Sequence, residues 1–282
     1  MVDPMPVEQA TGAPGAGRAP RLDTRTLLVS EHGPPIGKGW RATLYGEARE
    51  AVIWLDERAP LGEAERAGPL AEVGAPAAHA PPPSSKSRVS RRARGRVRRF
   101  AVANGCTRLA TFTYRDGTHD RAQVVRDWRR FARLLRARWP ELAWVRVLEL
   151  HPSGHGYHVH AGLNRGFPNE RRDRALARLW GHGFVDLRKL RGKQGGREDA
   201  RAAARYLAKY ATKDVDDQAP GEHGYEVAQG FQPESVRLRA WDRDGALAEA
   251  IRAMGGEVPG YVWDSRSVMD WTGPPVLFVS WQ

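Results

Sequence analysis

Four of the nine histidines in this chain fall within ten residues, which indicates a shared chemical role. They are His151, His155, His158 and His160. Alternate side chains of a β-strand point to the same face, so His158 and His160 project together while Val159 turns towards the core. Two imidazoles about 7 Å apart along a strand can bind one ion. The spacing therefore predicts two ligands of a metal site.

A third ligand is expected from the preceding strand. A hairpin that pairs His151 with His158 also places Glu149 opposite His160, on the same face. A slip of one residue would put Leu150 there instead. The first register is favoured because apolar residues then line the opposite face: Leu148, Leu150, Val159 and Ala161. A carboxylate with two imidazoles suits Mn²⁺, Mg²⁺ or Zn²⁺. Exposed histidines on a half-solvated sheet, without a metal, are the alternative.

Two tyrosines and two lysines recur at four-residue spacing in a helix predicted over 197–213. Tyr206 and Tyr210 share one side of this helix with Lys209 and Lys213. A small-residue side lets the helix lie close to a sheet, which would hold the tyrosines rigidly: Ala203, Ala204, Leu207, Ala208 and Ala211. The alternative is an ordinary amphipathic helix with half-buried tyrosines and lysine stems along its surface.

A metal beside a pair of tyrosines indicates phosphodiester chemistry. The ion offsets the charge that develops on the phosphate oxygens, while a tyrosine hydroxyl attacks phosphorus and keeps the strand as a covalent ester. Lys209 lies next to the phenols and can stabilise a phenolate or hold the phosphate. These residues therefore predict an enzyme that cuts and rejoins a nucleic-acid strand.

The elements that must position these groups alternate between strand and helix patterns. Strands are predicted over 107–114, 144–150, 157–163 and 184–190, and helices over 119–138, 169–180 and 197–213. The order is β-α-β-β-α-β-α. It predicts an α+β fold with a mainly antiparallel sheet, close to the split βαβ arrangement.

The rest of the chain divides by composition. Residues 1–58 form an N-terminal region of unknown role, which we expect to be partly disordered, and 216–282 form a C-terminal extension that packs on the core or makes a unit of its own. Residues 59–99 read as a Pro/Ala-rich linker and a basic arm before a nicking domain at 100–215. The arm is either a solvated, fraying segment or a tether for DNA phosphates. Its candidate DNA-binding residues are Arg91, Arg92, Arg94, Arg96, Arg98 and Arg99.

The overall charge agrees with a polyanionic partner. Lys and Arg number 45 against 33 Asp and Glu, which gives a net charge of +12, although a GC-rich genome also favours arginine. The single cysteine, Cys106, excludes disulfide frameworks and cysteine zinc fingers, and it predicts a reducing, cytoplasmic location. The sequence contains no apolar run long enough to span a membrane, no secretory signal and no nucleotide-binding phosphate loop.

Three segments together resemble the motifs of a known family. TFTY at 111–114, Glu149 with HVH at 158–160, and YLAKYATK at 206–213 are similar, in order and spacing, to the motifs of HUH-superfamily rolling-circle replication initiators. The similarity is greatest to those of actinobacterial plasmids and of phages that use two tyrosines. It covers about 105–215, and it implies a HUH fold with a central five-stranded antiparallel sheet flanked by helices.

The resemblance also implies an activity. Such proteins use a divalent ion, Mg²⁺ or Mn²⁺, to nick single-stranded or hairpin origin DNA, and they leave a 5′-phosphotyrosine and a free 3′-OH primer. Some plasmid relatives carry Glu at the position of Tyr206, so Tyr210 is the favoured first nucleophile. Some relatives use another third ligand, which makes Glu149 the least secure of the three. No helicase module follows, so a bacterial host would supply the helicase and the polymerase.

Three other functions remain open. A relaxase or HUH transposase shares the chemistry, although relaxases usually place their tyrosine before the histidines. A non-catalytic DNA-binding regulator would keep the fold without needing the tyrosines. A metal-dependent phosphoesterase for small molecules would need neither the tyrosines nor the basic arm.

Overall fold

The computed structural model describes residues 39–56, 85–164, 172–192, 195–211, 224–269, 271 and 273–281. The predicted leader, most of the Pro/Ala-rich linker and Lys213 lie outside these residues. In chain order the elements are β1 (Gly39–Tyr45), β2 (Glu50–Asp56), α1 (Ser85–Ala103), β3 (Arg108–Tyr114), α2 (Arg121–Arg138), β4 (Trp144–Leu150), β5 (Tyr157–Leu163), α3 (Arg172–Trp180), β6 (Gly183–Lys189), α4 (Arg197–Tyr210), β7 (Tyr225–Val227), β8 (Val236–Ala240), α5 (Arg243–Ala253), β9 (Tyr261–Asp264) and β10 (Val276–Ser280).

The central sheet confirms the predicted α+β fold. Its five strands are antiparallel throughout and run in the order β6-β3-β5-β4-β7. Strands β4 and β5 have the predicted bounds, while α2 begins two residues later than predicted because Asp120 caps it by accepting from the backbone N–H of Ala122 and Gln123. The fifth strand, β7, comes from the segment predicted to be a C-terminal extension.

One face of this sheet carries an aromatic core. The ring of Phe112 on β3 lies 5.4 Å from Trp128 and 5.0 Å from Phe131, both on α2, and 5.4 Å from Trp180 at the end of α3. These rings meet edge-to-face or tilted, which is the favoured geometry for aromatic pairs. Helices α2 and α3 therefore cover this aromatic face.

The opposite face, here called the histidine face, carries Thr111, Glu149, His158 and His160. Helix α4 crosses it at Gly162, where a Cβ would lie 2.6 Å from Cδ1 of Leu207. Glycine is thus needed for this close approach of helix to sheet. The prediction of a close-packed small-residue side is confirmed, since α4 buries residues of that side: Ala203, Ala204 and Leu207.

The predicted hairpin register is wrong by two residues. Glu149 lies opposite His158, and Leu150 lies opposite Tyr157. A shift of two preserves the alternation of faces, so Glu149 and His160 still share the histidine face. The turn is fixed from outside the hairpin, because the N–H of Tyr157 donates to the carbonyl of Thr118 at 2.7 Å.

A second sheet joins the two ends of the described chain. Strands β1 and β2 form it with β8, β9 and β10, in the order β8-β1-β2-β10-β9, and α5 packs against one of its faces. Residues predicted as separate N-terminal and C-terminal regions therefore share one hydrophobic core: Ala42, Leu44, Ile53, Leu238, Ala250, Leu277 and Val279. The prediction of two separate terminal regions is corrected accordingly.

The basic segment is a helix, not a fraying arm. Residues 85–103 form α1, so the predicted domain boundary at 99/100 falls inside a helix. One side of α1 is buried, with Val97 and Ala101 fully enclosed. Arg98 and Arg99 lie 3.0 and 3.4 Å from the carboxylate of Glu50, a buried residue of β2. Helix α1 therefore connects the two sheets.

Among the described helices, none combines the length and the apolar character that crossing a membrane requires.

Candidate active site

His160 is held on both ring nitrogens by the neighbouring strands. Its Nε2 lies 2.8 Å from Oε2 of Glu149 on β4, and its Nδ1 lies 3.1 Å from Oγ1 of Thr111 on β3. Both His160 and Glu149 are buried. Two such contacts fix the rotation of an imidazole about its side chain, so the flat face of the ring has a set direction.

His158, two residues earlier on β5, has a buried Nε2 with no hydrogen-bond partner among the described residues. Burial lowers the pKa of His158 below its usual value, and the neighbouring imidazoles act in the same direction. The ring of His151 lies 4.8 Å from that of His158. His158 is therefore neutral near pH 7, which is the form that binds a metal ion.

The two tyrosines lie directly over the histidine face. The Tyr210 ring stacks on His160, with centroids 5.0 Å apart and planes 28° apart. The Tyr206 ring meets His160 edge-on at 5.9 Å. The hydroxyl of Tyr210 donates to that of Tyr206 over 3.4 Å. The structure thus brings together both predicted tyrosines and His160.

The phenol of Tyr206 is harder to ionise than a free tyrosine. Burial, the largest cause, raises the pKa of Tyr206 to about 12. Lys209 is exposed, and its Nζ lies 5.5 Å from the centre of the Tyr210 ring. Helix α4 ends at Tyr210, three residues before the predicted end, and Lys213 lies outside the described residues.

The residues have the donor types of a metal site without forming a finished one. Within the described part of the chain, no group of three His, Cys, Asp or Glu side chains is arranged to hold a metal ion. The reason is visible at His160, whose Nε2 is engaged with Glu149. The unpartnered Nε2 of His158 on the same face nevertheless fits a ligand role, because a buried polar atom needs a partner.

The arginines of α1 divide into two groups. The two that contact Glu50 are engaged within the fold, and Nη1 of Arg96 donates to the hydroxyl of Tyr225 at 3.4 Å. Arg92 and Arg94 are exposed, and Arg91 lies on the same helix. The predicted DNA-binding set is therefore shared between contacts that hold the fold and the exposed surface of α1.

Sequence reasoning missed two features. Thr111 was recognised within the TFTY segment but not as a partner of His160, and strand pairing between β3 and β5 was the missing information. The second feature is α2, whose 18 residues contain seven arginines and one acidic residue, Asp127. That imbalance was readable from the sequence, although the apolar spacing of the helix drew the interpretation.

One family model matches this part of the chain. Residues 107–215 match the model of a replication-associated protein family of the ORF2 type. The matched segment runs from just before β3 to just beyond α4, and it contains Glu149, both histidines of β5 and both tyrosines. It covers less than half of the 282 residues, so α1 and the second sheet lie outside it. Comparisons with curated proteins and with solved structures gave no match.

Proposed function

We propose that the protein is a rolling-circle replication initiator of the HUH type, which nicks and rejoins single-stranded or hairpin origin DNA of a plasmid or phage. The observation that carries this proposal is the stack of Tyr210 on His160, with Tyr206 beside it. The match to a replication-associated family over the same residues supports it. The chain's charge of +12 suits a DNA substrate.

The reaction is a transesterification at phosphorus. The hydroxyl oxygen of Tyr210 bonds to phosphorus, and the bond from phosphorus to the 3′-oxygen breaks. The phenol releases its proton to solvent, and the departing 3′-oxygen takes one up, so the products are a 5′-phosphotyrosine and a free 3′-OH. Rejoining is the reverse reaction, and no external energy source is needed because one ester replaces another.

The environments of the two phenols favour a division of labour. Tyr206 is the poorer nucleophile at neutral pH because its pKa is raised to about 12. Lys209 stabilises negative charge near Tyr210. Tyr210 therefore makes the first cut, and Tyr206, 3.4 Å away between hydroxyls, receives the strand in the second transfer that ends a replication round.

A divalent ion, Mg²⁺ or Mn²⁺, completes this proposal. His158, His160 and Glu149 would hold it, and when bound it would neutralise charge on the phosphate oxygens. The protein's own contribution is orientation. Thr111 keeps Nδ1 of His160 engaged, and the stacked Tyr210 ring excludes water from one side of the imidazole.

DNA would reach this site along the exposed part of α1, where Arg92 and Arg94 lie. Arg91 on the same helix, and Lys213 just beyond the described end of α4, complete the proposed phosphate contacts. A host helicase and polymerase, in a bacterial cytoplasm, would unwind the template and extend the 3′-OH primer.

The test is covalent capture. The full-length protein is incubated with Mn²⁺ or Mg²⁺ and a pool of radiolabelled single-stranded oligonucleotides, and adducts are separated on denaturing gels. We expect a protease-sensitive adduct that Tyr210→Phe lowers by about 10³-fold, because no other group replaces the nucleophile. Tyr206→Phe should keep the first adduct and lose transfer to a second strand.

The alternatives give different results. A non-catalytic regulator would bind the pool equally well with both tyrosines changed and would form no adduct with either metal. A small-molecule phosphoesterase would hydrolyse a chromogenic phosphodiester with both tyrosines changed. Either result would overturn the proposal, as would an adduct that survives loss of both phenols.

A further inference from the structure

A cavity of about 350 Å³ lies on the other side of the central sheet from the tyrosines. It opens between α2 and the edge of the sheet that β7 forms. Arg129, Arg133 and Arg136 of α2 line one wall, and Trp144 and Phe231 belong to the apolar part of the lining. The cavity uses no residue of the proposed nicking site.

The three arginines of this cavity have no ion pair among the described residues. They are exposed, and they occupy one side of α2 at spacings of four and three. Like charges at these spacings repel one another by a few tenths of a kcal/mol per pair. The single acidic residue of the helix, Asp127, is turned away and accepts from the hydroxyl of Tyr114 at 2.9 Å. The cluster therefore lacks an anion.

The carboxylate nearest to the cluster does not supply that anion. Glu226 on β7 lines the cavity, but Nη2 of Arg146 donates to its Oε2 at 2.8 Å. Arg146 is buried, with 3% of its surface exposed, and burial lowers its pKa. Since Glu226 is engaged by a buried cation, the wall of three arginines keeps its positive charge.

The apolar side of the cavity is fixed in place. The carbonyl of Phe231 accepts from Nδ2 of Asn104 at 2.9 Å, and the N–H of Ala228 donates to the carbonyl of Trp144 at 2.8 Å. A flat aromatic wall opposite arginines fits a nucleotide, whose base stacks on the ring while its phosphate meets the guanidinium groups. A free inorganic anion would use only the arginines.

We infer that this cavity binds one nucleotide of a single-stranded DNA segment outside the nicking site. Arg129, Arg133 and Arg136 hold the phosphates, and Phe231 offers its ring to a base. The inference rests on the proposed function for the identity of the strand. It adds a second anchoring point, on α2, to the contacts near α1, so the DNA would be held on both sides of the sheet.

The experiment measures equilibrium binding apart from chemistry. The protein with Tyr206→Phe and Tyr210→Phe is titrated against a fluorescein-labelled oligothymidylate of about 20 nucleotides, and anisotropy is followed over a range of salt concentrations. In this background, Arg129→Gln, Arg133→Gln and Arg136→Gln are combined. A matched control combines Arg174→Gln, Arg178→Gln and Arg237→Gln, which are also exposed and remove the same charge.

The cavity triple variant should bind about tenfold or more weakly, and its salt slope should fall by about 2, because each phosphate contact in a single strand contributes about 0.7. The control should change affinity less than threefold. Equal losses in the two triple variants would reduce the effect to bulk charge and overturn the inference. Phe231→Leu should weaken binding severalfold with an unchanged salt slope, since stacking releases no counterions.

Two further readouts separate this inference from the proposed function. With both tyrosines present, the cavity triple variant should still form the covalent adduct at saturating DNA. An adduct with unchanged affinity in that variant would leave the proposed function standing and remove the cavity. Binding of thymidine monophosphate as tightly as the oligonucleotide would mark a free-nucleotide site and overturn the strand assignment.

Discussion

The Nε2 atom of His160 lies 2.8 Å from Oε2 of Glu149, although the residue directly opposite Glu149 in the hairpin is His158. The contact is therefore diagonal across the two strands, and it leans the imidazole along the sheet towards Glu149. The ring's other nitrogen meets Thr111 on the strand at its opposite side. Held in this way, the ring presents its flat face to Tyr210.

Removing the hydroxyl at Nδ1 tests this orientation. Thr111→Val keeps the shape and β propensity of the residue, but it leaves Nδ1 of His160 without its partner. Loss of such a supporting contact typically lowers metal affinity 10- to 100-fold. We expect that loss for Mn²⁺ in calorimetric titrations. The control is Thr113→Val, on the same strand and face opposite His158. Equal dissociation constants for the two variants would contradict the assigned role of Thr111.

The raised pKa of Tyr206 predicts a loss of stability at alkaline pH. The unfolded chain ionises this phenol near its ordinary value of about 10, and the folded chain does so only near about 12. The neutral phenol thus favours the folded state below pH 10, and this contribution is lost as pH rises from about 10 to about 12. Urea unfolding should show a smaller alkaline decline in Tyr206→Phe than in the native protein. The exposed Tyr261→Phe should behave like the native protein.

Glu50 holds the two sheets together through α1. Its carboxylate is almost fully buried and faces Arg98 and Arg99, of which the first is about one-third exposed. Breaking a fully buried pair costs about 3–5 kcal/mol, and partial exposure of the arginines reduces this to about 2 kcal/mol. Glu50→Ala should lower the free energy of urea unfolding by that amount. The exposed Glu47→Ala should change it by less than about 0.5 kcal/mol, and a similar loss in both variants would count against the bridge.

How far the sequence predicts this structure depends on the range of the contacts involved. Strands β4 and β5 were predictable to the residue because alternation and a glycine-containing turn are local signals. Their register was not, because both pairings enclose a turn of equal length. The choice is made by Thr118, whose carbonyl accepts from Tyr157 and whose backbone would clash with any Cβ at Gly156.

The basic segment and the second sheet were hidden for different reasons. Helix α1 has a readable apolar stripe, since Ala93, Val97 and Ala101 recur every four residues, but the density of arginine masked it. The second sheet pairs β2 with β10, more than 200 residues apart, and no local pattern encodes such a partner. The tyrosines, by contrast, were predictable as a pair because helical spacing alone puts them on one side of α4.

The position of the tyrosines over the histidine face depends on a glycine beneath α4. Gly162→Ala would place a Cβ 2.6 Å from Cδ1 of Leu207, which is fully buried and has no room to turn away. Overpacking of this kind costs about 1–3 kcal/mol, and it would lift α4 from the sheet together with Tyr206 and Tyr210. We expect the unfolding free energy to fall by that amount and adduct formation to fall at least about tenfold. Leu207→Val in the same chain removes the overlapping methyl group and should restore part of both losses. Full activity of Gly162→Ala alone would show that the separation of helix and sheet does not set the geometry of the tyrosines.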